Sequence, residues 1–164
     1  ISGNCSQPGI YEYQYGVTIL EMLKACGGDD AKAVQVGGAS GLCVPAKDFG
    51  RTISFEDIPT GGSIIVFGPS TDMRQVAINF MKFFTEESCG QCTPCREGNE
   101  VLLEGLDQMV EGECEEEYLE ELLQLSNSMS IASKCGLGQT SSSAFSNIAE
   151  HFKSELLRYE EGTV

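Results

Sequence analysis

Residues 73–110, MRQVAINFMKFFTEESCGQCTPCREGNEVLLEGLDQMV, decide how this chain is read: helical periodicity stands on either side of three cysteines in seven positions. Met73, Val76, Ala77, Phe80, Phe83 and Phe84 share one face before the cysteines, and Leu102, Leu106, Met109 and Val110 share one after them. Leu119, Leu122, Leu123 and Met129 repeat the pattern. Phe145, Ile148, Ala149, Phe152, Leu156 and Tyr159 then carry it over about four turns. Four amphipathic helices with short links predict a helix bundle. The acidic run EGECEEEYLEE, 111–121, falls at the link between the second and third helices, where it reads as a solvated turn and a favourable helix N-terminus.

Upstream of this stretch the period changes. ISGNCSQPGIYEYQYG, 1–16, carries a Pro8-Gly9 turn between β-prone runs and predicts a hairpin. Thr18 is the expected N-cap of ILEMLKAC, with Ile19, Leu20, Met22, Leu23 and Cys26 at helical spacing and Gly27-Gly28 as its stop. AVQVGG and SIIVFG are brief apolar runs bounded by glycines, as buried strands are. The charge balance shifts near the same point: up to Gly68 there are seven acids and four bases, and from Pro69 onward eighteen acids and six bases. The expected architecture is therefore α+β. A small domain over 1–68, with one helix laid across a mixed sheet, precedes a four-helix bundle over 69–164.

On this frame Cys89, Cys92 and Cys95 stand at the entrance of the bundle's second helix. Gly90 allows a backbone conformation that a Cβ would resist, Pro94 restricts the chain before the third cysteine, and the helix N-terminus favours thiolate over thiol. Structural zinc normally draws on two separated ligand pairs, whereas a CxxCxxC run with a remote fourth cysteine is a usual supply for a 4Fe-4S cluster. The remote candidate is Cys135 in SKCGLGQT. It falls in a glycine-rich loop between the third and fourth helices, and in an up-and-down bundle that loop shares an end with the first-to-second link. Arg96 and Lys134 adjoin two of these cysteines; they are either offsets to the thiolate charge or ordinary surface cations.

The remaining chemistry is sparse. The large core pattern and the lack of a signal peptide argue against a disulfide scaffold. Cys5, Cys26, Cys43 and Cys114 are expected to be free thiols, with a second metal site from the first three as the alternative. His151, the one histidine, lies beside Phe152 and reads as structural or surface. GGASG, 37–41, lacks a P-loop lysine and reads as a turn. A net charge of -15 excludes nucleic acid and anionic membranes as favoured partners. No apolar run approaches the roughly 20 residues needed to span a bilayer. A cytoplasmic location is the expectation, and the start at Ile1 suggests a piece of a longer polypeptide.

ESCGQCTPCREG, followed about forty residues later by KCGLGQT, resembles the C-terminal part of the flavin-bearing, NAD(H)-oxidising subunit shared by respiratory complex I, NAD(P)-linked soluble hydrogenases and NAD-dependent formate dehydrogenases. ISGNCSQPGIYEYQYGVTILEMLKACGG and PTGGSIIVFG are similar to the start and closing strand of that family's SLBB domain, a ubiquitin-like β-grasp. The resemblance implies that Cys89, Cys92, Cys95 and Cys135 bind a 4Fe-4S cluster that accepts electrons from the flavin. It implies as partners the other subunits of a redox complex, a small iron–sulfur subunit and a cluster-chain subunit. The family's GRGGAGFPTG-like run is absent here, so FMN and NAD(P) are expected to bind upstream of Ile1. These residues alone are expected to carry electrons without oxidising NADH. CGLGQT looks closer to the hydrogenase and formate dehydrogenase versions than to many complex I versions. The alternative function is an interaction module with a structural zinc clip.

Overall fold

The protein is described by a computed structural model covering residues 1–111 and 116–157. Cys114, Tyr159 and the middle of the acidic run 111–121 lie outside the described residues. The chain divides into two units, Ile1–Thr71 and Asp72–Val164, three residues beyond the expected division. The reason is local. The Asn4 side chain accepts from the Gly68 N–H at 3.1 Å and faces the Thr71 hydroxyl at 3.3 Å, and the Lys32 ammonium donates to the Thr71 carbonyl at 2.9 Å. These bonds tie 68–71 to the first unit.

In that unit, helix α1 (Ile19–Cys26) begins where the sequence places it. Thr18 and Glu21 form a capping box, the Glu21 N–H donating to the Thr18 hydroxyl and the Thr18 N–H to the Glu21 carboxylate at 2.9 Å. Gly27, at φ 66°, closes the helix in the left-handed conformation that a side chain resists. Strands β1 (Ser2–Gly3), β2 (Ala33–Val36), β3 (Leu42–Pro45) and β4 (Ile64–Phe67) form one mixed sheet in the order β1-β4-β2-β3, with β1 parallel to β4 and the other pairs antiparallel. Val34 stands opposite Val44 on one side and Val66 on the other. This row packs with Ile19, Leu23 and Cys26 of α1 in one core. Each large aliphatic side chain so buried contributes about 1.5–3 kcal/mol.

One expectation changes here, and a strand that the sequence did not mark joins the sheet. Residues 1–16 do not form a hairpin ladder: Ile1 and Gly9 exchange a reciprocal pair of hydrogen bonds, at 2.8 and 2.9 Å, and the strand that follows Ile1 pairs with β4 instead. The GGASG turn connects β2 to β3, a strand whose Cys-Val-Pro composition gave no alternating signal.

The second unit holds α2 (Met73–Glu87), α3 (Thr93–Glu111), α4 (Glu116–Ala132), the short α5 (Gly136–Thr140) and α6 (Ser143–Leu156), the last interrupted at Phe152 (φ -128°, ψ 30°). The glycine-rich loop expected after α4 is thus partly helical. Helix α2 is capped by the Asp72 carboxylate, which accepts the Arg74 N–H at 2.9 Å, and from α6 by Glu155, which accepts the Met73 N–H at 2.8 Å. Because α2 packs against both α3 and α6, its buried arc is rotated from the expected one. Met73, Ala77, Ile78, Met81 and Phe84 are inside, while Phe83 is 45% exposed and rests edge-on against Phe84. On α3, Leu102, Leu106 and Met109 are buried and Val110 is exposed.

Helices α3 and α4 approach through glycine. A Cβ built on Gly98 would stand 2.5 Å from the Met129 sulfur, and one on Gly105 would stand 2.5 Å from a Leu122 methyl. With α3 held this close to α4, and α2 on its other side, the α2–α3 link and the segment after α4 meet at one end of the bundle.

Candidate metal centre

Cys89 and Cys92 occupy the link between α2 and α3, Cys95 sits in the first turn of α3, and Cys135 immediately precedes α5. All four line one cavity of about 120 Å³, together with Glu87, Ser88, Gln91 and Leu137. A single water needs about 10–15 Å³ of such space, so the cavity suits a group several times larger. Among the described residues, no three His, Cys, Asp or Glu side chains form a group that could hold a single metal ion. Four thiols lining one such cavity are a donor set that fits an iron–sulfur cluster.

The backbone explains the arrangement. Gly90 has φ 73°, as the turn between Cys89 and Cys92 requires. Arg96 donates from Nη1 to the Gly90 carbonyl at 2.7 Å and pairs with Glu97 at 2.7 Å, so it braces the loop. The Cys92 carbonyl accepts the Arg96 N–H at 3.0 Å, and the Cys135 carbonyl accepts the Gln139 N–H at 3.0 Å, so each cysteine opens a helix. Gly138 lies against the site from α5: a Cβ there would stand 2.7 Å from the Ser133 Cβ and 3.0 Å from the Cys95 Cβ.

Cys92 and Cys95 are buried, while Cys89 and Cys135 are exposed. The Cys92 thiol is held below its ordinary pKa, first by the Lys134 backbone N–H and then by that of Cys95, with the Lys134 charge and the Ser133 hydroxyl adding to them against burial. Ser133 is 4% exposed and its hydroxyl lies near Cys92, yet it completes no well-aligned hydrogen bond among the described residues. Cys95 receives two side-chain groups at its sulfur: the Ser88 hydroxyl at 3.3 Å and the Asn99 amide at 3.4 Å. Ser88, Asn99, Ser133 and Gly138 were not legible as site residues. Asn99 carried the one usable signal, a polar residue at i+4 from Cys95 on a helix stripe that continues through Leu102 and Leu106.

Cys5, Cys26 and Cys43 stand apart from this cavity. Burial pushes the Cys43 thiol up to about 12. Its neighbour Val44 faces α1, so Cys43 projects from the opposite face of the sheet to Cys5 and Cys26, which pack in the α1 core. The three form no common site. Burial, and then the adjoining Cys5 thiol, raise the pKa of Cys26. His151 is half-buried on α6 and is absent from the cysteine cavity. No helix among the described residues is long and apolar enough to cross a membrane.

Residues 75–159 match the NADH-ubiquinone oxidoreductase-F iron-sulfur binding region. The chain is 38% identical over 165 residues to the NAD-reducing hydrogenase HoxS subunit alpha of Cupriavidus necator, covering 98% of this chain and 27% of that one. It is 32% identical over 168 residues to an NADH-quinone oxidoreductase subunit of Rickettsia felis, covering 95% of this chain and 40% of that one. The crystal structure of an NAD+-reducing [NiFe]-hydrogenase in the H2-reduced state superposes with a TM-score of 0.90 at 32% identity, over 97% of this chain and 29% of the other. The chain therefore spans well under half the length of the curated relatives it matches. More than half of its residues, the four cavity cysteines among them, fall within the matched region, and the chain belongs to the family of the NADH-ubiquinone oxidoreductase-F iron-sulfur binding region.

Proposed function

We propose that the chain is the electron-transfer module of an NAD(H)-linked oxidoreductase, holding one 4Fe-4S cluster on Cys89, Cys92, Cys95 and Cys135. The observation that carries this reading is the gathering of four cysteines from two separate segments around one cavity, within a region that matches an iron–sulfur family. When bound, such a cluster supplies reversible one-electron chemistry. The chain's own residues would do the rest. The four thiolates hold the group, the Lys134 charge partly offsets theirs, and the Gly90 turn and the α5 wedge fix the spacing of the sulfurs. Burial of Cys92 and Cys95 keeps water from one side, while Cys89 and Cys135 leave the other open to a partner.

In this role single electrons pass between a reduced flavin, held outside these residues, and clusters in partner subunits, in either direction. The proposed activity is relay rather than oxidation of NADH. The higher identity to the hydrogenase alpha subunit than to the NADH-quinone oxidoreductase relative supports a soluble-hydrogenase type over complex I, with the formate dehydrogenase type alongside it.

Anaerobic reconstitution with iron and sulfide tests the reading. The expected product is brown, contains about four iron and four sulfide per chain, and gives an EPR signal on reduction. A folded, colourless protein that takes up zinc alone would replace this reading with the structural-clip alternative.

A further inference from the structure

Asn99 is fully buried on α3, one turn beyond Cys95, in the stripe that continues as Leu102 and Leu106. Its Nδ2 donates to the Phe84 carbonyl and to the Cys95 sulfur, both at 3.4 Å. Both neighbours are acceptors once Cys95 is a thiolate, so the amide must present its NH2 to them. That choice leaves Oδ1 buried without a partner among the described residues. An orphaned carbonyl oxygen is a cost to folding that an apolar side chain of similar size would not carry.

Ser88 approaches the same sulfur from the α2–α3 link, at 3.3 Å. Its oxygen already accepts the Gly90 N–H at 3.3 Å, which leaves the hydroxyl proton for Cys95. Two side chains from different segments therefore aim donor hydrogens at one sulfur of the four. A donor on a ligating sulfur stabilises the charge that reduction adds, and so raises the reduction potential.

We propose that Asn99 and Ser88 are positioning residues that act through Cys95 to raise the potential of the cluster, above the value the thiolates alone would set. The inference rests on Cys95 being a cluster ligand, as proposed above. Asn99 also ties the end of α2 to α3 through Phe84, so loss of stability in a variant is not the readout; the potential is.

The experiment uses the whole chain, reconstituted anaerobically as wild type, Asn99→Leu, Ser88→Ala and Ser88→Thr, with iron content measured first and the potential then followed by EPR. In loaded Asn99→Leu and Ser88→Ala the reduction equilibrium is expected to move about tenfold toward the oxidised form, about 59 mV lower for one electron. Ser88→Thr keeps the hydroxyl and is expected to keep the wild-type potential. Loaded variants with unchanged potentials overturn the proposal, as does a fall in Ser88→Thr equal to that in Ser88→Ala. Should Asn99→Leu fail to fold, the Ser88 pair decides alone, since Ser88 lies in a link rather than in a helix core. An iron-free wild type overturns the ligand assignment and this inference with it, a result distinct from loaded protein with unmoved potentials.

Discussion

Gly138 and Gly136 differ by two positions and by everything that surrounds them. A side chain at Gly138 would collide with Ser133 and Cys95, whereas nothing lies within 4 Å of the Cβ position at Gly136. Gly138→Ala is therefore expected to destabilise the second unit by about 1–3 kcal/mol in denaturant unfolding. It should also lower iron uptake on reconstitution, while Gly136→Ala leaves both near wild type. Equal effects at the two positions would remove Gly138 from the account of the site. At this scale the sequence was legible where backbone chemistry is local: Thr18 as a cap, Gly27 as a stop and Gly90 as a turn follow from their own types and near neighbours. Ser88, Asn99 and Ser133 were not legible, because a serine or asparagine gains its role from what folds against it. The sulfur that Ser88 and Asn99 address was in view, but the fold that aims them at it was not.

The helices carry the same lesson one level up. Periodicity marked all four long helices of the second unit, yet it misassigned Phe83 and Val110, because a helix packed on two sides buries an arc that its apolar residues alone do not centre. The α3–α4 contact depends on absent side chains, which a hydrophobic pattern does not register. Gly105→Leu is expected to force α3 from α4 by collision with Leu122, costing about 1–3 kcal/mol or more, seen as a lower midpoint in urea. The strand β3 and the short α5 were missed for a related reason: four or five residues with mixed composition carry too little period to read.

The capping box makes a separate prediction for α1. The Thr18 hydroxyl, then the Thr18 N–H, hold the Glu21 carboxyl below its ordinary pKa. Its contribution is therefore present above the ordinary carboxylate range and lost as pH falls through the lowered value. Glu21→Gln should be less stable than wild type at neutral pH and converge with it in acid. A constant difference across that range would contradict the bond. Thr18→Ala should cost about 1 kcal/mol in thermal unfolding.

Over the whole molecule, the α+β architecture was legible from the change of period, and the convergence of Cys135 on the CxxCxxC run was legible because up-and-down connectivity fixes which loops share an end. The N-terminal pairing was not, since β1 reaches across the sequence to β4 instead of folding back on itself. The central claim is that four cysteines from two distant segments hold one cluster, and metal analysis of the Cys135→Ala chain, beside wild type, tests it most directly. Reconstituted anaerobically, wild type should carry about four iron per chain and the variant markedly less, with an altered or absent EPR signal on reduction. A variant that loads iron and gives the wild-type signal would contradict the account.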